Sequence, residues 1–413
     1  MSMWKRLLVA VAVVAMAIPA FSAVESVKVG GDIDIYGIKR VNIYVNDSYD
    51  WLQTHARVYV QAALTDNVEA MVRLINERVW LGPWGYPYDY PLDILLDLAY
   101  IKVSDLLTPG LALTVGRQEI QFGEGLVVGS AYLPYNYYPF GGTWIQAQDL
   151  GKQKAFDAIR VDYSFNQVPV DLTAFLAKVD ENFDINDENL YGLNLGFNAG
   201  EALRIEGYYV RLQDMSDVEQ NVTTAGVRVT GNVAGFALKG EYAKQFGEWG
   251  ADIDNKGWAL LLGAQYNFPQ SEMAAYVKGQ FNYYSGTDDT DKNGWLSYFP
   301  SNVASRIGPV TSVVLGYDES NLQVINVGGG ISPVEKVSVS LDWFNVNFVD
   351  EDVPGVSEKA IGNEISAALA YKYTEDLTFG LQYGILLLSD GGEDYLGWDD
   401  DPWQLIASMK VVF

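Results

Sequence analysis

The segment DLTFGLQYGILLL, at residues 376–388, decides the fold class of this chain. Its odd-numbered positions are apolar throughout, and Thr378, Gly380, Gln382 and Gly384 stand between them. Successive side chains of a β-strand point to opposite faces, so this segment forms one apolar and one polar face. A strand that crosses a membrane at a tilt needs about 9–11 residues, whereas strands of soluble sandwiches are nearer to about five or six. The length favours a membrane-spanning strand.

Alternating segments of this kind occur eighteen times between residue 26 and the C-terminus. An even strand number is typical of bacterial outer-membrane barrels, as are short turns that alternate with long external loops. The sequence therefore predicts an all-β protein, a transmembrane antiparallel β-barrel of eighteen strands with short periplasmic turns and long acidic external loops. An extra hairpin hidden in the connection 285–320 is the main alternative to this count. The predicted strands are 26–37, 51–64, 68–78, 94–103, 110–118, 153–165, 168–178, 189–199, 202–212, 222–233, 235–246, 256–268, 272–284, 321–331, 335–347, 360–372, 376–388 and 402–413.

The N-terminus has the pattern of a secretory signal peptide. Two basic residues precede an apolar run at 7–18, which is too short to span a bilayer but suits a signal-peptide core. Small residues at Ala20 and Ser22 favour cleavage after Ser22; an uncleaved anchor is the alternative. We therefore expect a signal peptide at 1–22. The remainder, 23–413, is expected to be a single outer-membrane barrel domain, because no change in composition marks a further boundary.

The composition excludes several classes of function. The chain has 27 Lys and Arg against 53 Asp and Glu, a formal charge of −26, which makes nucleic acid an improbable partner. It has no cysteine, so disulfide scaffolds and thiol chemistry are excluded. His55 is the only histidine, which leaves little room for a zinc site or a Ser-His-Asp triad. We therefore expect no enzyme and no cofactor, apart from calcium in the external loops.

The acidic residues are concentrated in the long connections. These nine connections hold 33 of the 53 acids and six of the 27 bases, so the remainder of the chain is nearly neutral. An acidic outer face concentrates cations and repels polyanions. The alternative explanation of the acidic connections is that they keep the loops soluble and bridge to lipopolysaccharide through divalent ions. The connections are 38–50, 79–93, 119–152, 179–188, 213–221, 247–255, 285–320, 348–359 and 389–401.

One of these connections has the oxygen spacing of a calcium loop. Asp289, Asp291 and Asn293 are followed by a turn glycine at Gly294, but position twelve is Pro300 where a bidentate Glu is expected. The sequence thus offers a possible calcium site, with solvated turns as the alternative.

The polar parity of the predicted strands faces the lumen if the apolar parity faces lipid. It carries nine bases and eleven acids, too many for a dry core but suited to a water-filled channel. Arg117 shares its parity with apolar residues, so its inclusion requires a bulge or strand end that turns it inward. The predicted pore-lining residues are Arg57, Glu69, Arg73, Glu77, Arg117, Arg160, Asp162, Arg204, Glu206, Arg228, Lys239 and Glu241.

Two motifs and the C-terminus point to a bacterial outer-membrane setting. The run VGRQEIQFGEGLVVG at 115–129 and the strand opening FDAIR at 156–160 resemble the markers of the alginate-export family of outer-membrane β-barrel porins. That resemblance implies an outer-membrane channel or exporter. The aromatic Phe413, which closes an alternating strand, is similar to the signal read by the outer-membrane assembly machinery.

The favoured function is an outer-membrane, porin-like channel for passive diffusion of small hydrophilic solutes or ions. Sixteen or more strands leave an aqueous channel unless it is plugged. The glycines and aromatic residues of 119–152 predict that this loop packs partly inside the barrel and narrows the pore. The alternative function is export of an extracellular polysaccharide such as alginate. The expected partners are outer-membrane lipid and lipopolysaccharide, the assembly machinery, and the transported solute or polysaccharide.

Overall fold

The computed structural model describes residues 24–43, 46–80, 94–131, 148–180, 187–214, 220–249, 253–286, 292–350, 353 and 355–413. The predicted signal peptide at 1–22 lies outside these ranges. Across the described ranges, no helix has the length and apolar character needed to cross a membrane.

Strands dominate the described part of the chain. Eighteen of them have eight or more residues, and two further strands are dipeptides. The strands are β1 (Ser26–Val41), β2 (Ser48–Thr65), β3 (Val68–Val79), β4 (Leu95–Val103), β5 (Leu111–Gln118), β6 (Phe156–Ser164), β7 (Val170–Asp180), β8 (Glu188–Ala199), β9 (Leu203–Asp214), β10 (Gln220–Val233), β11 (Phe236–Trp249), β12 (Asp254–Asn255), β13 (Trp258–Asn267), β14 (Tyr276–Tyr284), β15 (Lys292–Asn293), β16 (Leu322–Val334), β17 (Val337–Phe348), β18 (Ala360–Lys372), β19 (Leu377–Leu388) and β20 (Trp403–Val412).

The eighteen long strands form one closed antiparallel barrel. Each pairs with the next along the chain, and β1 pairs with β20, so the described sheet has no free edge. The dipeptide strands β12 and β15 pair with each other in parallel outside this order, because β11 pairs directly with β13 and β14 with β16. The predicted fold and strand number are confirmed.

The outer face of the barrel is apolar and exposed. On β8, for example, Leu193, Leu195 and Phe197 point outward and are about half exposed, whereas Leu190 on the other parity is fully buried. The same alternation exposes Val72 on β3 and its counterparts around the wall. An apolar surface of this extent suits a lipid environment and not water.

The inner face contacts two connections that fold into the barrel. The first is the described beginning of the third long connection, 119–131. The second is 294–320, which contains the short helices α1 (Val303–Ile307) and α2 (Thr311–Val314). Leu126 and Ile307, one from each segment, are fully buried, which places both segments inside the wall. A third short helix, α3 (Asp390–Leu396), packs against β18 and β19 at the long-loop end.

Two of the differences from the sequence prediction concern the first and the seventh long connections. β1 and β2 run beyond the predicted 26–37 and 51–64, which shortens the first long connection to 42–47. Charged residues end the alternation in this region. A strand above the bilayer can still pair its backbone with the neighbouring strand while it carries polar side chains on both faces. The suspected hairpin in 285–320 is absent from its described part, where the helices α1 and α2 lie instead.

The apolar outer face of the wall predicts that a leucine facing lipid and a leucine in a short connection differ sharply in the cost of replacement by a charged residue. Leu193 lies near the middle of β8 on the outer face, so Leu193→Arg should lower the free energy of unfolding in lipid vesicles by about 2–4 kcal/mol. Leu107→Arg is the control, because Leu107 is 94% exposed in a short connection. Urea unfolding of both variants tests this. Equal effects at the two positions would contradict the assignment of the outer face.

Candidate functional site: the charged lumen

Charged side chains of the inner face form ion pairs along the wall. The first group lies on β1–β3. Arg57 Nε donates to Asp32 Oδ1 at 2.9 Å. Lys152, from the end of the third long connection, pairs with Asp32 and also with Asp34 at 2.6 Å, and its backbone N–H donates to Glu77 at 2.6 Å. The predicted residues Arg57 and Glu77 are therefore brought together around a lysine that strand parity did not identify.

The second group lies on β3–β7. Arg73 pairs with Asp97 on β4 and with Glu119, the first residue of the inserted connection. Arg160 on β6 donates to Asp162 at 2.8 Å, and the hydroxyl of Thr173 on β7 donates to the same carboxylate at 2.7 Å. Arg160 and Asp162 are both among the predicted pore-lining residues, whereas the two carboxylates that hold Arg73 are not.

The third and largest group lies on β7–β11. Arg204 makes two parallel hydrogen bonds to Asp171, at 2.8 and 2.9 Å, and a longer one to Glu206 at 3.2 Å. Arg228 donates to the other oxygen of Glu206 at 2.6 Å. Because two guanidinium groups share Glu206, the cluster extends continuously from β7 to β10.

An acid from the inserted connection completes this cluster. The Glu124 carboxylate accepts from Arg228 Nε at 2.8 Å and from Lys239 Nζ at 2.9 Å. Its backbone N–H donates to Glu241 on β11 at 2.7 Å, and Glu241 also accepts from the Tyr208 hydroxyl. Burial acts to raise the pKa of Glu124, but its hydrogen bonds and charge contacts with Lys239 and Arg228 outweigh burial and lower it.

The remaining predicted residues of the inner face make weaker contacts. Glu69 accepts a 3.4 Å hydrogen bond from Tyr100. His55 is buried, with its ring nitrogens facing Gln53 and Glu77. Eleven of the twelve predicted pore-lining residues thus lie on the inner parity.

Arg117 is the exception, and the prediction that it turns inward is wrong. The register between β5 and β6 is regular, so Arg117 stays on the same outward parity as Val115. Its guanidinium binds Asp157 at 2.7 Å, directly across the strand pair. The ion pair at the strand ends removes the need for a bulge.

The Arg117–Asp157 pair also joins the two sequence motifs, the run at 115–129 and the strand opening at 156–160. They lie side by side, because Gln118 donates to the Ala158 carbonyl while Arg117 binds Asp157. Gly116 has a φ of +119°, and a Cβ there would lie 2.2 Å from the Ala99 carbonyl oxygen. The two motifs therefore meet at the point where the third long connection leaves the wall.

The inserted residues 119–131 pack against the wall through apolar side chains. The Phe122 ring lies 5.2 Å from the Phe175 ring and 6.4 Å from the Tyr208 ring, and both partners point inward from β7 and β9. Val128 forms a β-bridge with Phe299 of the second inserted segment. The expectation that the third connection folds inward agrees with this placement of its described residues.

The second inserted segment is held by a buried ion pair. The Arg306 guanidinium binds Glu319 through Nε and Nη2, at 2.5 and 2.7 Å, and donates to the Glu124 carbonyl at 3.0 Å. Tyr284 of β14 also donates to Glu319. Three strands further along the wall from β14, the buried Glu364 of β18 accepts from the backbone N–H groups at the start of α2. Arg306 consequently links both inserted segments to the wall.

The possible calcium loop falls largely outside the described ranges. Asp289 and Asp291 lie outside the described residues, and so does the side chain of Asn293. The calcium site stays a prediction.

A closed barrel with an apolar exterior and a charged lumen defines a porin-like outer-membrane β-barrel. The model of the alginate export family matches residues 49–350, well over half of the chain, so the chain belongs to the alginate export family. Family and fold place it in the bacterial outer membrane. No curated protein sequence matches this chain.

Solved structures of porins have the same fold. OpdO of Pseudomonas aeruginosa superimposes with a TM-score of 0.62 at 11% identity, covering 95% of this chain and 98% of that chain. A BenF-like porin from Pseudomonas fluorescens gives 0.60 at 10% identity, covering 95% and 100%. OccK2 (OpdF) of Pseudomonas aeruginosa, in complex with glucuronate, gives 0.59 at 12% identity, covering 94% and 99%. At these identities the similarity concerns the fold.

The Arg306–Glu319 pair predicts how the second inserted segment is stabilised. Both side chains are at most 2% exposed, so Glu319→Gln leaves a buried guanidinium without its counter-charge. We expect the opening free energy of segment 294–320 to fall by about 3–5 kcal/mol. Hydrogen exchange of the Gly308 and Ser312 amides measures this change. Glu358→Gln, at an exposed position, is the control, and unchanged protection in Glu319→Gln would contradict the role of the pair in holding this segment.

Proposed function

We propose that this protein is an outer-membrane channel for passive diffusion of small hydrophilic solutes or ions. The observation that carries the proposal is the partly exposed set of lumen charges. Arg160, Arg204 and Lys239 remain about one-third exposed although they point into the barrel. A sealed core would bury such groups completely or exclude them, whereas a water-filled path leaves them partly hydrated.

The lumen favours small solutes over long polymers. Two inserted segments occupy part of the cross-section, and the guanidinium groups of Arg57, Arg73, Arg160, Arg204 and Arg228 each already bind a carboxylate. A polyuronate would have to displace these partners one after another. Export of a polysaccharide such as alginate is the second candidate, and membership of the alginate export family favours it.

No catalytic role is proposed. The imidazole of His55 faces Gln53 and Glu77. Neither side chain is the kind of nucleophile that a histidine activates in acyl transfer. The proposed partners outside the lumen are outer-membrane lipid with lipopolysaccharide, and the assembly machinery acting on the strand that ends at Phe413. The exposed Phe413 ring and the apolar outer face support these two contacts.

The charge distribution predicts the ion selectivity of the channel. The long connections have a net charge near −27, but Glu119, Glu124, Asp149 and Glu319 from them pair with bases inside the barrel. The rest act at the mouth over about 10 Å at 0.1 M salt and about 3 Å at 1 M. We expect a weak cation preference at low salt that largely disappears near 1 M.

Reversal potentials in planar bilayers at several KCl concentrations measure this preference. Strong anion selectivity that persists at high salt would contradict passive diffusion through a nearly neutral lumen and would favour the polyuronate exporter.

The inserted third connection predicts a change in conductance. Deleting residues 126–146 removes the fully buried Leu126 and Val128 from the lumen, so the single-channel conductance should increase clearly. Deleting 181–186, from another long connection, is the control. If both deletions leave the conductance at the wild-type value, the third connection does not narrow the ion path.

A further inference from the structure

The two described ends of the third long connection place opposite charges on opposite walls of the lumen. Glu124 binds Arg228 and Lys239 on β10 and β11, and Lys152 binds Asp32 and Asp34 on β1. Between β1 and β10 lie nine steps of an eighteen-strand circuit, which is half of the barrel. The two contacts therefore face each other across the lumen.

We propose that Glu124 and Lys152 are tethered counter-ions that set the ion selectivity of the channel in opposite directions. The inference rests on the proposed channel function and deepens it. It assigns to these two loop residues a role that the wall charges alone do not have.

The β10–β11 side shows why Glu124 has this effect. Its carboxylate occupies the position that a permeating anion would take between Arg228 and Lys239. The wall groups Arg228, Lys239, Glu206 and Glu241 cancel one another in their ordinary ionised states, so Glu124 gives this side a net charge of −1. Without Glu124, the side is neutral and its two cations can meet an anion from solution.

The β1–β3 side has the opposite arrangement. The wall acids on this side are Asp32, Asp34 and Glu77. They face two wall cations, Arg57 on β2 and Lys410, which lies opposite Asp34 on β20, so the net charge of the wall is −1 with His55 neutral. Lys152 cancels this charge by binding both aspartates. The two loop charges therefore act in opposite directions, since Glu124 adds a negative charge to one side and Lys152 cancels one on the other.

The ion pairs remain accessible to solvent. The side chains of Glu124, Lys152, Arg228 and Asp32 are between 15% and 22% exposed, and Lys239 is 34% exposed. In water, a unit charge about 7 Å away changes the free energy of a permeating monovalent ion by about RT. This corresponds to a roughly threefold change in the local concentration of that ion. The loss of either loop charge is therefore measurable as a change in permeability ratio.

The test compares Glu124→Gln, Lys152→Gln and the double variant in planar bilayers under a KCl gradient. We expect the ratio of K⁺ to Cl⁻ permeability to fall roughly sevenfold in Glu124→Gln and to rise roughly sevenfold in Lys152→Gln, because the local concentrations of the two ions each change roughly threefold in opposite directions. The double variant should return close to the wild-type ratio. Glu272→Gln and Lys336→Gln remove the same charges from short connections and should leave the ratio unchanged.

Each other outcome counts against the inference. A shift in the same direction in both single variants would show that each merely releases the loop from the lumen. Unchanged ratios in variants that conduct would show that these charges do not face the ion path, while the channel function itself would stand. A folded wild-type barrel without conductance would contradict the proposed function and this inference together.

Discussion

Backbone hydrogen bonding in a lipid environment is the constraint on which the rest of this structure depends. Hydrocarbon offers no water to unpaired N–H and C=O groups, so a spanning sheet must pair every strand on both sides. The pairing of β1 with β20 achieves this by closing the sheet. Closure also creates two environments, an outer face that must be apolar and an inner face that is shielded from lipid. The inner face can therefore carry charge.

The charged inner face and the inserted segments depend on each other. Arg228 and Lys239 would face the lumen with Glu206 and Glu241 as their nearest wall acids, and Glu124 adds the carboxylate that both cations bind. The insertion is held in turn by apolar packing of Phe122 and by its contact with Arg306. The lumen is thus neither a dry core nor an open tube, but a hydrated path between ion pairs.

Strand positions could be predicted from the sequence because alternation is a local signal, and β19 shows this most clearly. The partners of the lumen charges could not, since Arg228 lies 104 residues from Glu124 and no local pattern links them. Arg117 shows a conflict between two rules: its charge suggested the lumen, whereas its parity pointed outward. Parity was correct, because Asp157 lies opposite and neutralises it. Segment 294–320 lacked a strand period, so its folding into the lumen was not foreseen.

A continuous hydrated path across this barrel is the central claim. Single-channel recording of the purified wild-type protein in a planar lipid bilayer tests it most directly. We predict discrete conductance steps whose size grows with bulk salt concentration, because the lumen charges are paired and water fills the remaining space. A correctly folded barrel that inserts into the bilayer and gives no conductance steps would contradict this claim, and would mean that the two inserted segments plug the lumen.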